Sequence, residues 1–498
     1  MKTKYWLTLI FILVLFIRIL ASFTAPGFSY DTYDILREVE HILDTGRSLL
    51  QDELSHGGRD RVFSPVYGYI LAFFGLFLSL DMVMLIIPNL FGSTIVIVVY
   101  MLAFEISKNK QVSVLTSLLS GIIPFLFLGT VNNASNLNLV IPLFLLTIYY
   151  FLKTNQDKKH RYHLVFSLIF LSLIHPISIA LVVGLLIYLV FLKIKNFRES
   201  NREFEVVSFF SLLVFWLNLI IYKQALFESP DIFIWQSLPT VLTDSVYAQI
   251  GTFQAIYGIG SVLLVLGLLS VYFNLFDKKK KSVTLFMSLA ILFIILLISR
   301  NLELLLGLIF LGIIFCVLSS YSLKVFYDIL INMKYNKAIY VLVILVVSLQ
   351  IALFIPSFNA TTSGINTPTE LDYKAAIFMQ NFDMNSKILA RYYEGSFISF
   401  VSGRKNVIDS DFLLVANVDS FYSDAHSVYD DRFLTSALSK LTRLGVTHIF
   451  LSEKYQIQNN KTELAFVDND CIVKIYPTLE KEYLYHPKIY EVRCQINE

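Results

Sequence analysis

Apolar runs recur along this chain at 5–24, 63–80, 83–106, 112–130, 137–152, 163–175, 177–193, 205–222, 255–276, 283–299, 302–320 and 338–356. Runs of about this length are what a bilayer core of roughly 30 Å demands of a helix. Inside that layer only helices and closed barrels satisfy their own backbone polar groups. The expected fold is therefore a polytopic α-helical membrane protein. Composition agrees, since 56% of the 498 residues are hydrophobic and only 16% are charged, against about a quarter in a soluble chain. The first run follows Lys2 and Lys4 and has no small-residue cleavage site before Asp31, so it reads as a retained span rather than a cleaved signal. The net charge of +2, with no basic stripe interleaved with aromatics, implies no nucleic-acid partner.

Topology follows from the basic connectors. SKNK (106–110), KTNQDKKHRYH (153–163), KIKNFR (193–198), DKKKK (277–281) and the segment 321–337 carry Lys and Arg, and such loops stay in the cytoplasm. With the N-terminus inside, parity holds for all five only if 63–80 dips into the membrane or lies along it without crossing. Eleven spans then remain, in a plasma-membrane protein with a cytoplasmic N-terminus and an extracytoplasmic tail. The alternative is that 63–80 crosses and 163–193 crosses once. In the eleven-span version the first loop (25–82), the loop 223–254 and the tail 357–498 lie outside, with the N-x-S/T triplets at Asn133, Asn359 and Asn460. Residues 1–356 would form the membrane module and 357–498 a small α/β domain. In that tail KILARY, NVIDSD, THIFLS and CIVKIYP read as strands, and RFLTSALSKLTRLG as a helix stopped by Gly445. Cys471 and Cys494 would form one disulfide in an oxidising compartment, and no metal-binding Cys spacing exists.

The stretch YDTYDILREVEHILDTG has apolar positions at helical spacing, Ile35, Leu36, Val39, Ile42 and Leu43, before a natural stop at Gly46. It predicts an amphipathic helix lying on the membrane surface. Asp31 stands at its start, where a helix N-terminus favours a carboxylate. Read alone, Asp31 is either a cap or a working acid, and Asp34, Arg37 and Glu38 are either a solvated cluster or the wall of a cavity.

Order along the chain adds to this. Asp31, Tyr33 and Arg37 form D-x-Y-x-x-x-R just past the first span, followed by a glycine-ended helix, the acids Asp52 and Glu53, and S-P-V-Y-G-Y. In the tail stands ILARYYEGSFISFVSGRKNVIDSDF. This series resembles the GT-C superfamily of membrane glycosyltransferases, and within it the catalytic subunit of oligosaccharyltransferase. The resemblance implies a sugar or glycan donor linked to polyprenyl phosphate, and a glycan or protein acceptor. It also implies a first outer loop carrying the catalytic acid. Two positions depart from the family pattern. Asn136 and Asn138 stand where that family has the D-x-D that helps hold a divalent metal, and neutral amides are poor ligands for a hard cation. A metal cofactor is therefore disfavoured. Tyr392-Tyr393-Glu394-Gly395 stands in place of W-W-D-Y-G, which reads the acceptor sequon, so a peptide acceptor is disfavoured as well.

The chemistry needs a base for the acceptor and a cation for the leaving phosphate. A partly buried carboxylate supplies the first, and the resemblance assigns it to Asp31, with Asp34 one turn on as second candidate. Arg300, alone between two spans in LLISRNLELLL, is the candidate phosphate ligand; the plainer reading is an arginine reaching lipid headgroups. Arg18, inside the first span, should pair with Asp31, Asp34 or a lipid phosphate. Tyr33, Arg37, His175, Asn136, Asn138, Glu228 and Asp231 complete the expected substrate cavity. Trp235 is either a sugar platform or an interface anchor. The competing functions are an oligosaccharyltransferase proper, a transporter of lipid-linked substrates and a non-catalytic scaffold. Transporters show internal repeats and mid-membrane charge, whereas charge here gathers at span ends.

Overall fold

Polar breaks between the apolar runs decide where each helix stops. The computed structural model describes residues 2–62, 64–154, 158–194, 201–228, 238–276, 280–333, 336–468, 470–477 and 485–495. The chain opens with α1 (Lys2–Thr24), then α2 (Tyr30–Thr45), a two-stranded ribbon of β1 (Gln51–Asp52) and β2 (Arg59–Asp60), and α3 (Val66–Gly75). Next come α4 (Leu80–Ser93), α5 (Ile95–Ser107), α6 (Lys110–Ser120), α7 (Pro124–Thr130), α8 (Leu137–Lys153), α9 (Lys158–Ile174), α10 (Ile177–Ile194) and α11 (Asn201–Glu228). The bundle finishes with α12 (Thr240–Gln249), α13 (Thr252–Ile259), α14 (Ser261–Phe276), α15 (Lys281–Ile298), α16 (Leu304–Asn332) and α17 (Asn336–Thr362).

Among the described residues seven helices are long and apolar enough to cross a membrane, α4 and α5 counting as one. The number is nine if the bent pairs α6–α7 (49°) and α13–α14 (80°) each make one span. The other two runs of the eleven expected spans fold as α8 and α9, 17 residues each, or about 25 Å at the helical rise. The segment 63–80 yields only α3, ten residues long and so about half a bilayer core in length.

Packing separates a hub from a rim. Helix α16 is buried almost without a break from Leu304 to Leu323, whereas α1, α11 and α17 expose rows such as Phe16, Leu212 and Ile344. Such apolar rows are at home against lipid. The basic connectors meet at one end of the bundle. Lys153 pairs with Glu105 at 2.5 Å, Lys280 donates to the Ile106 carbonyl at 3.0 Å, and Lys281 pairs with Glu203 at 3.3 Å.

At the opposite end sits a five-stranded sheet of order β4-β3-β5-β7-β6, built from β3 (Lys387–Leu389), β4 (Lys405–Asn406), β5 (His448–Leu451), β6 (Ile472–Tyr476) and β7 (Lys488–Val492). Strand β3 runs parallel to β4 and β5, while β7 lies antiparallel between β5 and β6. Among the described residues five α-helices serve this domain: α18 (Glu370–Phe378), α19 (Gly395–Ser402), α20 (Val418–Ser427), α21 (Leu434–Leu444) and α22 (Glu453–Asn459). Helix α21 buries Ala437, Leu438, Leu441 and Leu444 on one side and ends at Gly445, in the left-handed region at φ 67°. Cys471 and Cys494 form a disulfide with a Cα–Cα distance of 4.8 Å. The expected domain boundary at 356 falls inside α17, which continues to Thr362.

The loop 25–82 is clamped between bundle and sheet. Gly57 N–H donates to the Asn406 carbonyl at 2.8 Å and Asn406 N–H to the Leu54 carbonyl at 2.7 Å. Helix α2 runs as expected to Gly46, a left-handed stop. Its apolar stripe does not rest on lipid, however. Leu36, Val39 and Ile42 are buried in one cluster with Tyr67 and Leu71 of α3 and Phe397 of α19. Protein offers this stripe the same apolar contact as lipid, and two partners on adjacent sides fix the helix where a membrane surface would let it roll.

Candidate functional site

Two kinds of charged environment lie side by side at the sheet end. The first is a lattice of paired groups. Arg37 pairs with Asp52. Arg61 meets Asp34 at 2.6 Å, with Asp52 and Asp411 each at 3.7 Å. Arg59 meets Asp411 at 3.1 Å and Asp409 at 3.5 Å, and His56 Nε2 lies 3.1 Å from Asp409. Burial works against the charge of Arg61, yet Asp34, Asp411 and Asp52 outweigh it and hold the guanidinium cationic. Asp409 is likewise opposed by burial, but His56, Arg59 and the Ser55 hydroxyl keep it well below the usual carboxylate range. This lattice fastens the first loop to the sheet domain.

The second environment is a recess whose acids have no cation on them among the described residues. Asp31 opens α2 with its side chain exposed, and its carboxylate accepts one long hydrogen bond, from Asn133 Nδ2 at 3.3 Å. The protein around it still raises its pKa, first by burial and then through the charge of Asp34, with the Asn133 bond opposing. Glu303, at the N-cap position of α16, makes no capping hydrogen bond. Burial and then the charge of Asp31 push it up to about 7. Tyr392, just past β3, is raised by burial, then Tyr422, then Asp31, with Arg391 opposing and Glu303 adding a smaller push. Asp31, Glu303 and Tyr392 are therefore within electrostatic reach of one another. They come from three places: the first loop, the α15–α16 turn and the sheet domain. Two coupled acids titrate as a pair, one ionising well before the other. At neutral pH such a pair offers one carboxylate as a base beside one carboxyl that still carries a proton part of the time.

The sequence candidates divide between these environments and others. Asp31 reaches the recess, while Asp34 is tied to Arg61 in the lattice. Arg37 also belongs to the lattice, buried on Asp52 rather than facing a cavity. Tyr33 is two residues from Asp31, about 200° around the helix, and its phenol bonds Tyr373 on the far side of α2. Arg18 reaches neither Asp31 nor Asp34. It is buried among α1, α7 and α8, donating to Asn138 Oδ1 at 2.7 Å and to the Thr130 carbonyl at 3.1 Å. Neutral acceptors inside the bundle thus satisfy a charge that was expected to seek an acid.

His175 accepts the Ile177 N–H on Nδ1 at 3.1 Å, a turn residue at the head of α10. Glu228 is exposed at the end of α11, near Gln224 at 3.5 Å. Asp231 and Trp235 lie outside the described residues. Arg300 adopts a left-handed φ of 55°, pairs with Asp244 and stacks over Tyr247 at 5.7 Å. It stands at the rim, three residues before Glu303. Sequence reasoning passed over Glu303, Asn133 as an Asp31 partner, Tyr392 as a recess wall, and Arg61. The available signal for Glu303 was its place in LLISRNLELLL, an acid at the mouth of a span just as Asp31 is.

The arrangement does not suit a divalent metal at the asparagine pair. Asn138 is buried with its oxygen on Arg18 and its Nδ2 on the Asn133 and Ser135 carbonyls. Asn136 heads α8 without a side-chain cap bond. A guanidinium therefore already holds the oxygen that a metal would need. Within Tyr392-Tyr393-Glu394-Gly395 the acid is turned inward as well: Glu394 is fully buried and accepts from the Ser452 hydroxyl at 2.6 Å, while Tyr392 and Tyr393 are half-buried. A Cβ on Gly395 would stand 2.0 Å from the Ile408 carbonyl oxygen, so the close approach there requires glycine.

No family model and no curated protein matches the chain. Solved structures do resemble it. The Archaeoglobus fulgidus oligosaccharyltransferase in its apo form aligns with a TM-score of 0.67 at 14% identity, over 91% of this chain and 70% of that one. The A. fulgidus oligosaccharyltransferase AglB in complex with an inhibitory peptide and a dolichol-phosphate gives 0.66 at 15% identity, over 90% and 69%. ArnT from Cupriavidus metallidurans bound to undecaprenyl phosphate gives 0.57 at 11% identity, over 98% of both chains. The chain is a multi-pass membrane protein with the fold of these proteins, the GT-C fold that its sequence resembles.

Proposed function

We propose that this chain is an inverting glycosyltransferase that moves a sugar or glycan from a polyprenyl-phosphate donor to an acceptor at the outer face of the plasma membrane. The sheet end is then extracytoplasmic and the basic connectors cytoplasmic, in keeping with their charge. The observation that carries the reading is Asp31: Asp34 and Asp52 of the same loop are bound to arginines, whereas Asp31 has no cation on it among the described residues and is coupled by charge to Glu303. Support for the donor class comes from the fold, because the A. fulgidus and C. metallidurans structures hold dolichol-phosphate and undecaprenyl phosphate.

In the proposed step the acceptor hydroxyl gives its proton to the Asp31 carboxylate while its oxygen bonds the anomeric carbon opposite the phosphate. The bond from that carbon to the phosphate oxygen breaks, the electron pair leaves with the polyprenyl phosphate, and the configuration inverts. Glu303 in its protonated form donates a hydrogen bond to the sugar or acceptor, and Tyr392 gives a ring for the sugar to lie against. Arg300 exchanges Asp244 for the leaving phosphate, whose two charges its planar donor fork suits better than one carboxylate. A hydroxyl acceptor on a glycan is favoured over a peptide amide by the inward-turned Glu394.

The test uses purified protein in lipid nanodiscs with radiolabelled polyprenyl-phosphate sugars and a membrane extract as acceptor. Asp31→Asn should abolish transfer, Arg300→Ala should weaken it, and a chelator should leave the parent unaffected. Undiminished transfer by Asp31→Asn overturns the site. Loss of transfer with chelator overturns the metal-free step.

A further inference from the structure

A cavity of about 350 Å³ lies beneath the face of α2 that carries Tyr33 and Leu36. It is bounded by the end of α1, the 25–28 linker, the first turns of α4, and Tyr373 and Phe400 of the sheet domain. Asp31 and Glu303 do not line it, and Tyr33 and Leu36 do, as their place on the helix opposite Asp31 requires.

Its chemistry is one-sided. Phe23, Phe28, Tyr33, Tyr373 and Phe400 give aromatic rings, and Asp81 is the one charged residue among those lining it. The Asp81 side chain is exposed and has no hydrogen bond or ion pair with the described residues. Asn132, more than nine-tenths buried, also borders the cavity, but its Nδ2 is spent on the Gly27 carbonyl and its Oδ1 is buried out of the cavity's reach. The cavity thus presents a carboxylate without a partner among the described residues and a wall rich in aromatic side chains, with no cation among the residues lining it. A donor that is itself positive suits both, since ammonium groups bond carboxylate oxygens and lie favourably over aromatic faces.

Position narrows the source. Ser22 and Phe23 belong to the last turn of α1 and Asp81 to the first turn of α4, so the cavity opens where two membrane-length helices end. Phe23 and Met82 beside it are exposed. We propose that this cavity binds an ammonium group, with an amine-bearing lipid headgroup and a soluble amine as its two sources. The proposal stands independently of the transfer reaction.

Native mass spectrometry of the delipidated full chain tests it, with phosphatidylethanolamine, its N-acetylated derivative of the same tails, and free ethanolamine as probes. Phosphatidylethanolamine should bind about tenfold more tightly than the N-acetyl lipid, and Asp81→Asn should erase that difference, the size expected of one charge-assisted contact. Asp81→Glu should restore it. The Asp81→Asn protein should melt with the parent, because no protein contact is lost. Binding of the lipid undisturbed by ethanolamine assigns the membrane source; its displacement by ethanolamine assigns the soluble one. Equal binding of the two lipids, or an Asp81→Asn protein that still distinguishes them, overturns the proposal.

Discussion

The lattice around Arg61 and the recess around Asp31 are neighbours, yet each treats its acids differently. In the lattice Asp34, Asp52, Asp409 and Asp411 each meet an arginine within 4 Å. In the recess neither Asp31 nor Glu303 has a cation on it among the described residues, and each is raised by burial and by a neighbouring carboxylate, whereas burial raises Asp34 with Arg61 opposing it. The same residue type is thus fixed in a salt bridge a few residues away from where it is left reactive. Pairing stabilises the charged form and removes basicity; withholding the partner keeps basicity at some cost in stability.

Four outcomes would break or sharpen that contrast. Asp31→Asn should lower sugar transfer by roughly 10²–10⁴-fold, the usual contribution of a general base, with thermal unfolding unchanged. Equal losses of activity and melting temperature would instead place Asp31 with the structural acids. Arg61→Leu should destabilise the fold by about 3–5 kcal/mol, because it strands buried carboxylates. Chemical denaturation in detergent measures this, and a fully stable variant would dissolve the distinction.

Asp409 gives a smaller, pH-dependent effect. Its folded pKa is depressed, so its contribution is present above the unfolded value near 4 and is lost as pH falls through the folded value. Melting of the parent should decline in that acidic window, and Asp409→Asn should be less stable at pH 7 but lose less on acidification. The finest test is Glu303→Gln. In the parent, Glu303 ionises as pH rises through about 7, giving the transfer rate an inflection there. Glu303→Gln should erase that inflection and keep a single acid limb, belonging to Asp31 alone. An unchanged profile would detach Glu303 from the recess.

Local pattern carried some of this architecture and long-range contact carried the rest. The helical spacing of Leu36, Val39 and Ile42 with Gly46 behind them marked α2 at its observed end, and Gly445 did the same for α21. THIFLS and CIVKIYP contain β5 and β6, while NVIDSD holds a single residue of β4, and β7 carried no signal that was recognised. What periodicity cannot show is the partner. A stripe made for lipid and one made for protein look alike, so α2 was placed on the membrane when it packs on α3 and α19. Arg18 was assigned an acid by the rule that buried charge seeks its opposite; a carbonyl and Asn138, 112 and 120 residues away, serve instead. Asp31 was legible because it opens a helix just past a span. Its partner Glu303 comes 272 residues later and shares no local pattern with it.

The clamp between the first loop and the sheet domain has a consequence for how the molecule is made. Ser55 bonds Asp409 and Arg59 reaches the Leu413 carbonyl, contacts separated by 354 residues of chain. A ribosome therefore releases the first loop long before the segment that will hold it exists. Until then α2 has no α19 to pack against, and its stripe must be sheltered by lipid or by a membrane chaperone. Chains stopped early, before about residue 410, should insert their spans yet leave the recess without one wall. Quality control that samples the far terminus would then report on the completeness of a site built around residue 31.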